Sequence, residues 1–316
     1  MFKSGFVSFV GRPNVGKSTL LNKIIGQRVS IVSKHPGTTQ RTVSGIYNSA
    51  NSQIVFIDTP GYAKPRRNLG VRLNDSVSGG VSQADIIIFC VPVNEKIGPG
   101  DLRILKNFFV SKVFVSKGLR KIPADPKFSE IKKIAVITKA DTVGKDALLN
   151  KIIELDQLKI DPTDDFQEKI FAEIVPVSAK SGYNLTELIS LLKELLPNGP
   201  KYYDVNSISL ENENITISEL VRQEVLNDLK DELMHSVAVT LDEESDNQNI
   251  KAVIFVERDS QKQIIIGKKG SKIGNIRRSA KRSIKKQFPE VKSLQLRVKV
   301  APNWQQNTKY FEKFSI

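Results

Sequence analysis

Short apolar runs alternate with amphipathic stretches through the first part of the chain. Five runs read as buried strands: GFVSFV, IVFID, DIIIFCV, KKIAVIT and EIVPVSA. Between them, KSTLLNKIIG, DLRILKNFF and LTELISLLKELLP carry apolar residues at helical spacing. Strands that alternate with helices in this way are typical of a mainly parallel sheet covered on both faces. The pattern therefore predicts an α/β domain.

The pattern changes after LLPNGPKYYDVN, residues 195–206, where Pro, Gly, Asn and Asp follow a helix. Beyond it we expect a helix (SELVRQEVLNDLKDEL), two strands (HSVAVTLD and IKAVIFVER), a glycine loop with a basic helix, and a last strand (KSLQLRVKV). This order, α-β-β-α-α-β, predicts a second domain of the α+β class. We place the first domain at 1–197, a linker at 198–207 and the second domain at 208–316.

Composition narrows the class of protein. The chain has 316 residues, enough for two domains, and 40% of them are hydrophobic. No apolar run is long enough to span a bilayer, and the N-terminal stretch lacks an apolar signal core, so we expect a cytoplasmic protein. The single cysteine, Cys90, lies in DIIIFCVPV and is expected to pack as a small buried residue. Two histidines and one cysteine argue against a zinc site.

The positive charge is concentrated near the C-terminus. Of a net charge of +14, residues 251–316 supply 17 Lys and Arg against 4 Asp and Glu, an excess of 13. The rest of the chain is close to neutral. A local excess of this kind predicts a surface that binds a polyanion such as nucleic acid.

The stretch GRPNVGKS has the spacing of a phosphate-binding loop, with Gly11, Gly16, Lys17 and Ser18 at the defining positions. It follows an apolar strand and opens an amphipathic helix, which is the context that such a loop requires. Backbone N–H groups and the helix N-terminus favour bound phosphate, Lys17 supplies a cation, and the Ser18 hydroxyl suits Mg²⁺.

Three later motifs select the base. DTPG (Asp58–Gly61) places a carboxylate near the metal and a glycine N–H near the γ-phosphate. TKAD ends in a carboxylate, Asp141, that can accept both N–H donors on one edge of guanine, whereas adenine would leave it unpaired. SAK supplies backbone donors for the guanine oxygen. The predicted nucleotide contacts are Gly11, Arg12, Pro13, Asn14, Val15, Gly16, Lys17, Ser18, Thr19, Asp58, Thr59, Pro60, Gly61, Thr138, Lys139, Asp141, Ser178, Ala179 and Lys180.

These motifs resemble the consensus of the TRAFAC-class GTPases, and GRPNVGKSTLLN, PGTTQR and DTPG resemble its Era and MnmE-like branch. The resemblance implies hydrolysis of GTP to GDP, with Mg²⁺ held by Ser18, by a switch-I threonine and indirectly by Asp58. Thr39 is our first choice for that threonine, and Thr38 stays open. The catalytic residues implied are Lys17, Thr39 and Gly61.

The chain departs from the family pattern in two places. Thr138 stands where Asn is usual, and its hydroxyl can still tie the segment to the phosphate loop. Residues 113–130 form an apparent insertion. Tyr62 follows DTPG where Ras-like enzymes have a glutamine, which predicts slow intrinsic turnover because a phenol is a poor base. Asn14 resembles the family position linked to K⁺, and its alternative role is to form a tight turn.

The stretch IIGKKGSKI fits the GxxG loop of a KH domain, and the order α-β-β-α-α-β is that of the type II variety. Small glycines let a single-stranded backbone approach closely, and the lysines neutralise phosphates. The helix that follows has an apolar side at Ile273, Ile276, Ala280 and Ile284. Predicted RNA contacts are Gly267, Lys268, Lys269, Gly270, Lys272, Arg277, Arg278 and Lys281.

Taken together, the two halves resemble the Era family of bacterial ribosome-assembly GTPases, also through HSVAV, ERDSQKQIIIGKKGSKI and LRVKVAPNW. The resemblance implies binding near the 3′ end of 16S-type ribosomal RNA and assistance in maturation of the small ribosomal subunit. It also implies association with the inner face of the cell membrane without a transmembrane segment.

Two other functions stay open from the sequence. One is an RNA-binding assembly factor with vestigial nucleotide hydrolysis, which Thr138 and Tyr62 favour. The other is a tRNA-modification GTPase, against which the KH-like region and the missing C-terminal cysteine argue. Lys64, Arg66 and Arg67 are either solvated charges or contacts to RNA or to the second domain, and Trp304 either stacks on a base or packs in a core.

Overall fold

The computed structural model describes residues 1–32, 38–65, 67–109, 131–160, 169–229 and 236–316. The chain divides into two compact units. The first unit comprises Met1–Ser30, Thr42–Lys64 and Asn74–Leu210, and the second comprises Ile31–Arg41, Pro65–Leu73 and Glu211–Ile316. The second unit therefore contains two short segments from the N-terminal half of the chain in addition to the C-terminal segment. The apparent insertion at 113–130 lies outside the described residues.

A six-stranded sheet forms the centre of the first unit as described. Its strands are β1 (Lys3–Val10), β2 (Val43–Ser49), β3 (Ser52–Asp58), β4 (Ile86–Pro92), β5 (Lys132–Thr138) and β6 (Glu173–Pro176). The order is β2-β3-β1-β4-β5-β6; β2 is antiparallel to β3 and all other pairs are parallel. This is the mainly parallel sheet that the apolar runs predict, with β2 added at one edge.

Helices cover both faces of this sheet. They are α1 (Lys17–Ile25), α2 (Asn68–Ser82), α3 (Pro99–Phe108), α4 (Lys145–Asp156) and α5 (Leu185–Leu195). Strand β4 shows why the pattern is continuous and not alternating: Ile87 and Phe89 enter the core beside α3 and α4, while Ile88 and Cys90 enter the core beside α1 and α5. Cys90 is fully buried, and burial raises its pKa to about 12, as expected for a packed thiol.

In the second unit the described elements follow the predicted order α-β-β-α-α-β. They are α6 (Glu213–Asp228), β7 (Ala238–Leu241), β8 (Asn249–Val256), α7 (Asp259–Ile266), α8 (Ser271–Lys285), β9 (Ser293–Val300) and a final α9 (Thr308–Lys313). Strand β8 pairs antiparallel with β7 and parallel with β9. Its residues alternate between two cores: Ile254 packs with α6 and α8, whereas Phe255 packs with Trp304 and Phe314.

Trp304 is a core residue and is not available to stack on a base. Its side chain is fully buried, and its indole Nε1 donates to the carbonyl of Ser236 at 3.0 Å. A satisfied indole N–H inside an apolar cluster is the usual arrangement for a structural tryptophan. Of the two roles that the sequence leaves open for Trp304, the structure supports packing.

Candidate functional site

The phosphate loop lies where β1 ends and α1 begins. Gly16 has φ +104°, in the left-handed region that favours glycine, and it caps the N-terminus of α1. A side chain on Gly61 would come within 2.6 Å of the backbone nitrogen of Pro13. Gly61 therefore lets the DTPG segment approach the loop closely, and the Tyr62 N–H donates to the Gly11 carbonyl at 3.2 Å.

Lys17 occupies the centre of the loop. Its ammonium donates to the carbonyls of Gly11 and Arg12 at 3.1 and 3.0 Å, and only 5% of the residue is exposed. Burial lowers the pKa of Lys17, against the attraction of Asp58. A buried cation whose neighbours are mainly carbonyl dipoles gains strongly from an anion, and a nucleotide phosphate is the anion that this loop suits.

Asp58 connects three parts of this site. Its Oδ2 accepts hydrogen bonds from Ser18 Oγ at 2.5 Å and Ser30 Oγ at 2.8 Å. Its Oδ1 is buried and has no hydrogen-bond partner among the described residues, and burial raises the pKa of the carboxyl. A hydroxyl beside a carboxylate with one unsatisfied oxygen is a donor set that fits Mg²⁺ and its water shell. Ser30 does not belong to any predicted motif.

A cavity of about 280 Å³ lies beside this loop and is lined among others by Gly16, Asp141, Ala179 and Lys180. We call it the base pocket after the ligand that the sequence predicts. Ser178 Oγ donates to Asp141 Oδ1 at 2.6 Å, and this hydrogen bond lowers the pKa of Asp141. The backbone N–H of Ser181 donates in turn to Ser178 Oγ at 3.1 Å. The carboxylate is thus held ionised at the pocket, as acceptance of two guanine N–H donors requires.

The hydroxyl of Thr138 connects the base motif to the phosphate loop, as the sequence predicts. Its Oγ1 donates to the Val15 carbonyl at 2.5 Å, and the residue is buried. The bond joins the end of β5 to the phosphate loop. The departure from the family's Asn therefore preserves a connection between the base motif and the loop.

The Tyr62 side chain contacts two residues of the first unit. Asn107 Nδ2 donates to it at 2.6 Å, and the ring packs edge-on against Phe108 with centroids 5.2 Å apart. Both partners lie on α3. A phenol fixed in this way is a structural contact.

The switch-I threonines belong to the second unit, in the segment Ile31–Arg41. The Thr38 carbonyl accepts a hydrogen bond from Arg222 of α6. Arg67, in the segment Pro65–Leu73, donates to Glu257 and Gln305, so it contacts the C-terminal part of the chain and is not a simply solvated charge. Lys64 is exposed, and Arg66 lies outside the described residues.

The GxxG loop joins α7 to α8 in a strained conformation. Gly267 and Gly270 have φ +71° and +75°, and Lys269 between them has φ +52°. A side chain on Gly267 would meet the Cβ of Lys272 at 2.5 Å. Lys268 and Lys269 are both exposed. The two glycines thus hold a tight loop that presents two lysines to solvent.

A groove of about 400 Å³ lies beside this loop, between α8 and β9. Gly270, Gly274 and Arg277 line its helix side, and Gln295 and Arg297 line its strand side. An arginine on each wall suits a polyanionic strand, and the glycines of the helix side leave room for its backbone. The strand-side residues were not predicted, because alternating Gln295, Arg297 and Lys299 resemble an ordinary solvated strand face.

The basic helix α8 buries Ile276, Ala280 and Ile284, as its spacing predicts, while Ile273 is half-buried at the groove. Arg277 and Arg278 are exposed, and Arg278 bonds Asn275 one turn away. Lys281 is half-buried, and Lys272 is half-buried with its ammonium 3.6 Å from Asp228 Oδ2. Lys272 therefore carries a partly neutralised charge.

Matches to characterised proteins cover both units. Residues 6–115 match the family model of a 50S ribosome-binding GTPase, and residues 232–305 match that of a KH domain. GTPase Era of Mycolicibacterium smegmatis is 40% identical over 318 aligned residues, covering 99% of this chain and 98% of the relative. The chain belongs to the Era family of GTPases.

Solved Era structures agree with this assignment. A variant of Aquifex aeolicus Era bound to GDP·AlF4⁻ is 32% identical, with a TM-score of 0.86 and 99% of each chain covered. Era in complex with MgGDPNP and nucleotides 1506–1542 of 16S ribosomal RNA is 33% identical, with a TM-score of 0.85 over 99% of each chain. The fold class and the family that the motifs indicate are confirmed.

Within the described residues there is no group of three or more His, Cys, Asp and Glu side chains suited to a metal ion. Nor does any helix in the described ranges combine the length and hydropathy that a bilayer crossing requires.

Proposed function

We propose that this protein is a GTP-hydrolysing switch that binds small-subunit ribosomal RNA near its 3′ end and assists assembly of that subunit. The observation that carries the proposal is the Asp141 carboxylate, which accepts a hydrogen bond from Ser178 at a cavity that Gly16 of the phosphate loop also lines. The complex of a relative with MgGDPNP and 16S nucleotides supports both halves of the proposal.

The residues of the first unit have separable roles in hydrolysis. Lys17 neutralises the β- and γ-phosphates, and the Gly61 N–H meets the γ-phosphate. Ser18 and, through water, Asp58 would hold Mg²⁺, which when bound supplies positive charge at the phosphate oxygens. The Tyr62 hydroxyl already accepts a hydrogen bond from Asn107, and a phenol is in general a poor base. We therefore expect slow intrinsic turnover, with the attacking water ordered by another group.

Asn14 is the residue through which K⁺ would add positive charge beside the phosphates. It has φ +64°, a conformation that Asn tolerates better than most residues and that also suits a tight turn. Turnover should be faster in KCl than in NaCl of equal ionic strength. Equal turnover rates in the two salts would mean that Asn14 only forms the tight turn and does not bind K⁺.

The segments Ile31–Arg41 and Pro65–Leu73 are the elements through which nucleotide state would reach the RNA site. The first carries Thr38 and Thr39, of which Thr39 is proposed to close on Mg²⁺, and the second follows DTPG. Both are grouped with the C-terminal segment, and Leu69 is buried in a core with Trp304 and Phe314. Ordering of these segments by GTP and their release on hydrolysis would change the RNA-binding unit directly.

The RNA site proposed is the GxxG loop and the groove beside it. Lys268 and Lys269 would neutralise phosphates at the loop, and Arg277 and Arg297 would do so in the groove. Arg278 and Lys281 extend this surface along α8. The exposed position of the loop lysines supports a polyanion as the ligand, and the match of this region to a KH domain supports single-stranded RNA.

Two measurements test the proposal. The protein should bind guanosine nucleotides more tightly than adenosine nucleotides. Asp141→Asn should change this preference to xanthosine nucleotides, because xanthine has a carbonyl in place of the guanine amino group that donates a hydrogen bond to Asp141. GTP hydrolysis should be measured with and without a transcript of the 3′ end of small-subunit RNA. Binding of the transcript with no turnover in either condition would favour the assembly factor with vestigial hydrolysis, which Thr138 and Tyr62 keep as an alternative.

A further inference from the structure

Arg12 lies inside the phosphate loop, and its side chain bonds two carboxylates from a later part of the chain. Its Nε donates to Asp101 Oδ1 at 2.8 Å and its Nη2 donates to Glu95 Oε2 at 2.8 Å. A side chain on Gly100 would lie 2.9 Å from the Cδ of Arg12, so the stem of the arginine rests on the start of α3. Two carboxylates therefore fix this guanidinium.

Asp101 is the rigid end of this arrangement. Its side chain is fully buried, and its second oxygen, Oδ2, accepts the backbone N–H of Gly98 at 3.0 Å. One carboxylate thus caps the N-terminus of α3 and holds the phosphate loop at the same time. A buried carboxylate with both oxygens satisfied is a fixed anchor.

Glu95 connects the same arginine to the base motif. Its Oε1 lies 4.0 Å from the ammonium of Lys139, which lines the base pocket. Its backbone carbonyl accepts a hydrogen bond from Lys151 at 2.7 Å, and Lys151 is 4% exposed. The backbone of Glu95 is therefore held in place while its side chain bridges two cations.

We propose that Glu95 is a positioning residue for guanine-nucleotide binding, which holds the Lys139 side chain at the base pocket and is itself oriented by Arg12 and Asp101. This inference rests on the proposed nucleotide site. None of the three residues needs to touch the nucleotide with its side chain. The arrangement links the phosphate loop to the guanine motif through ion pairs, in addition to the Thr138–Val15 hydrogen bond.

The expected effect is modest, because Glu95 and Lys139 are 41% and 39% exposed and their ion pair is partly screened by solvent. Glu95→Gln should weaken GDP and GTP binding equally, by about threefold, because Lys139 lies at the base and not at the γ-phosphate. The kcat at saturating GTP should be unchanged, since an interaction made equally with ground and transition states alters only KM. The loss should shrink as inert salt is added.

Glu194→Gln is the control. Glu194 is an exposed carboxylate on α5 of the same unit, and it has no part in the arrangement of Arg12, Asp101, Lys151 and Lys139. Its variant should bind GDP like the parent protein. Equal weakening by the Glu95 and Glu194 variants would mean that general charge, and not positioning, is responsible, and would overturn the inference.

A double-mutant cycle with Lys139→Met tests whether Glu95 affects nucleotide binding through Lys139. If Glu95 acts through Lys139, then Glu95→Gln should have no further effect on the Kd of GDP in the Lys139→Met background. Additive losses would overturn the inference while leaving the nucleotide site intact. Absence of GDP binding by the parent protein would instead remove the proposed function itself, so the two failures are distinguishable.

Discussion

Arg222 donates a hydrogen bond through Nη1 to the carbonyl of Thr38, with 2.5 Å between nitrogen and oxygen. The guanidinium is 1% exposed, and its Nε also donates to the Val237 carbonyl at 3.2 Å. The neighbouring Gln223 donates to the Val32 carbonyl at 2.6 Å. Helix α6 of the second unit thus holds the segment that carries Thr38 and Thr39 through two consecutive side chains.

Replacing Arg222 tests how much these hydrogen bonds contribute to the stability of the protein. Arg222→Met removes the arginine donor to two buried carbonyls and one of the two cations beside Glu219, of which Arg41 remains at 3.9 Å. We therefore expect the free energy of unfolding to fall by about 2 kcal/mol. Urea denaturation followed by circular dichroism measures the change. Arg258→Met, at an exposed arginine of the same unit, should be close to neutral. An Arg222 variant as stable as this control would contradict the expectation.

The hydroxyl of Thr138 should be worth a measurable part of the nucleotide affinity. Thr138→Val keeps the shape but leaves the Val15 carbonyl without its donor, and we expect the Kd of GDP to rise about fivefold, equivalent to about 1 kcal/mol. Thr138→Ser restores a hydroxyl and should recover most of the affinity. Titration with a fluorescent GDP analogue measures all three proteins. If the valine variant binds as tightly as the serine variant, the tie has no role in binding.

The pH dependence of guanine binding should reflect the Ser178–Asp141 hydrogen bond. Because this bond lowers the pKa of Asp141, the carboxylate stays ionised, and guanine binding persists, until the pH falls below the usual range for aspartate, about 3.9. Ser178→Ala removes the bond and should move the acid limb of binding to higher pH.

Binding of GDP by the parent protein and the Ser178 variant should be followed from pH 7 downward, as far as circular dichroism shows a folded chain. Titration of the phosphates is common to both proteins and cancels in the ratio of their affinities. Ser181→Ala, which leaves the Asp141 contact intact, is the control. A ratio that does not change with pH would show that Ser178 does not tune the carboxylate.

The loop lysines should govern RNA binding by charge. Replacing Lys268 and Lys269 together with Gln should weaken binding of single-stranded RNA and reduce the slope of log K against log salt by about 1.4, since each phosphate contact contributes about 0.7. GDP affinity should not change. Lys292 and Lys309, both exposed in the same unit, provide a control pair of equal charge. Equal losses of RNA affinity in both pairs would indicate a general charge effect and no specific role for the loop.

The parts of the site that the sequence predicts are those formed by contiguous residues. GRPNVGKS, TKAD and GKKG each determine their own backbone conformation, so the left-handed glycines and the turns appear where the motifs place them. The alternation of apolar runs with amphipathic helical stretches likewise predicts a sheet that is covered on both faces. Strand β2 escaped prediction because an antiparallel edge strand with Ser, Gly and Asn has a weak apolar signal.

The residues that escaped prediction act across long separations in the chain. Glu95 and Asp101 reach Arg12 over more than 80 residues, and Arg297 joins Arg277 only because β9 lies beside α8. The hydrogen bonds of Val32 and Thr38 to α6 likewise depend on the tertiary fold. Single charged residues of this kind have no local pattern, because their partners are chosen by the fold.

The chain contains a single tryptophan, and its indole is enclosed in the second unit between Phe255, Phe314 and the Ser236 carbonyl. Its intrinsic fluorescence is therefore an optical signal from that unit alone, without any attached dye. A change in emission when GTP is added at the other unit would be a spectroscopic record of communication along the chain, obtained from the unmodified protein.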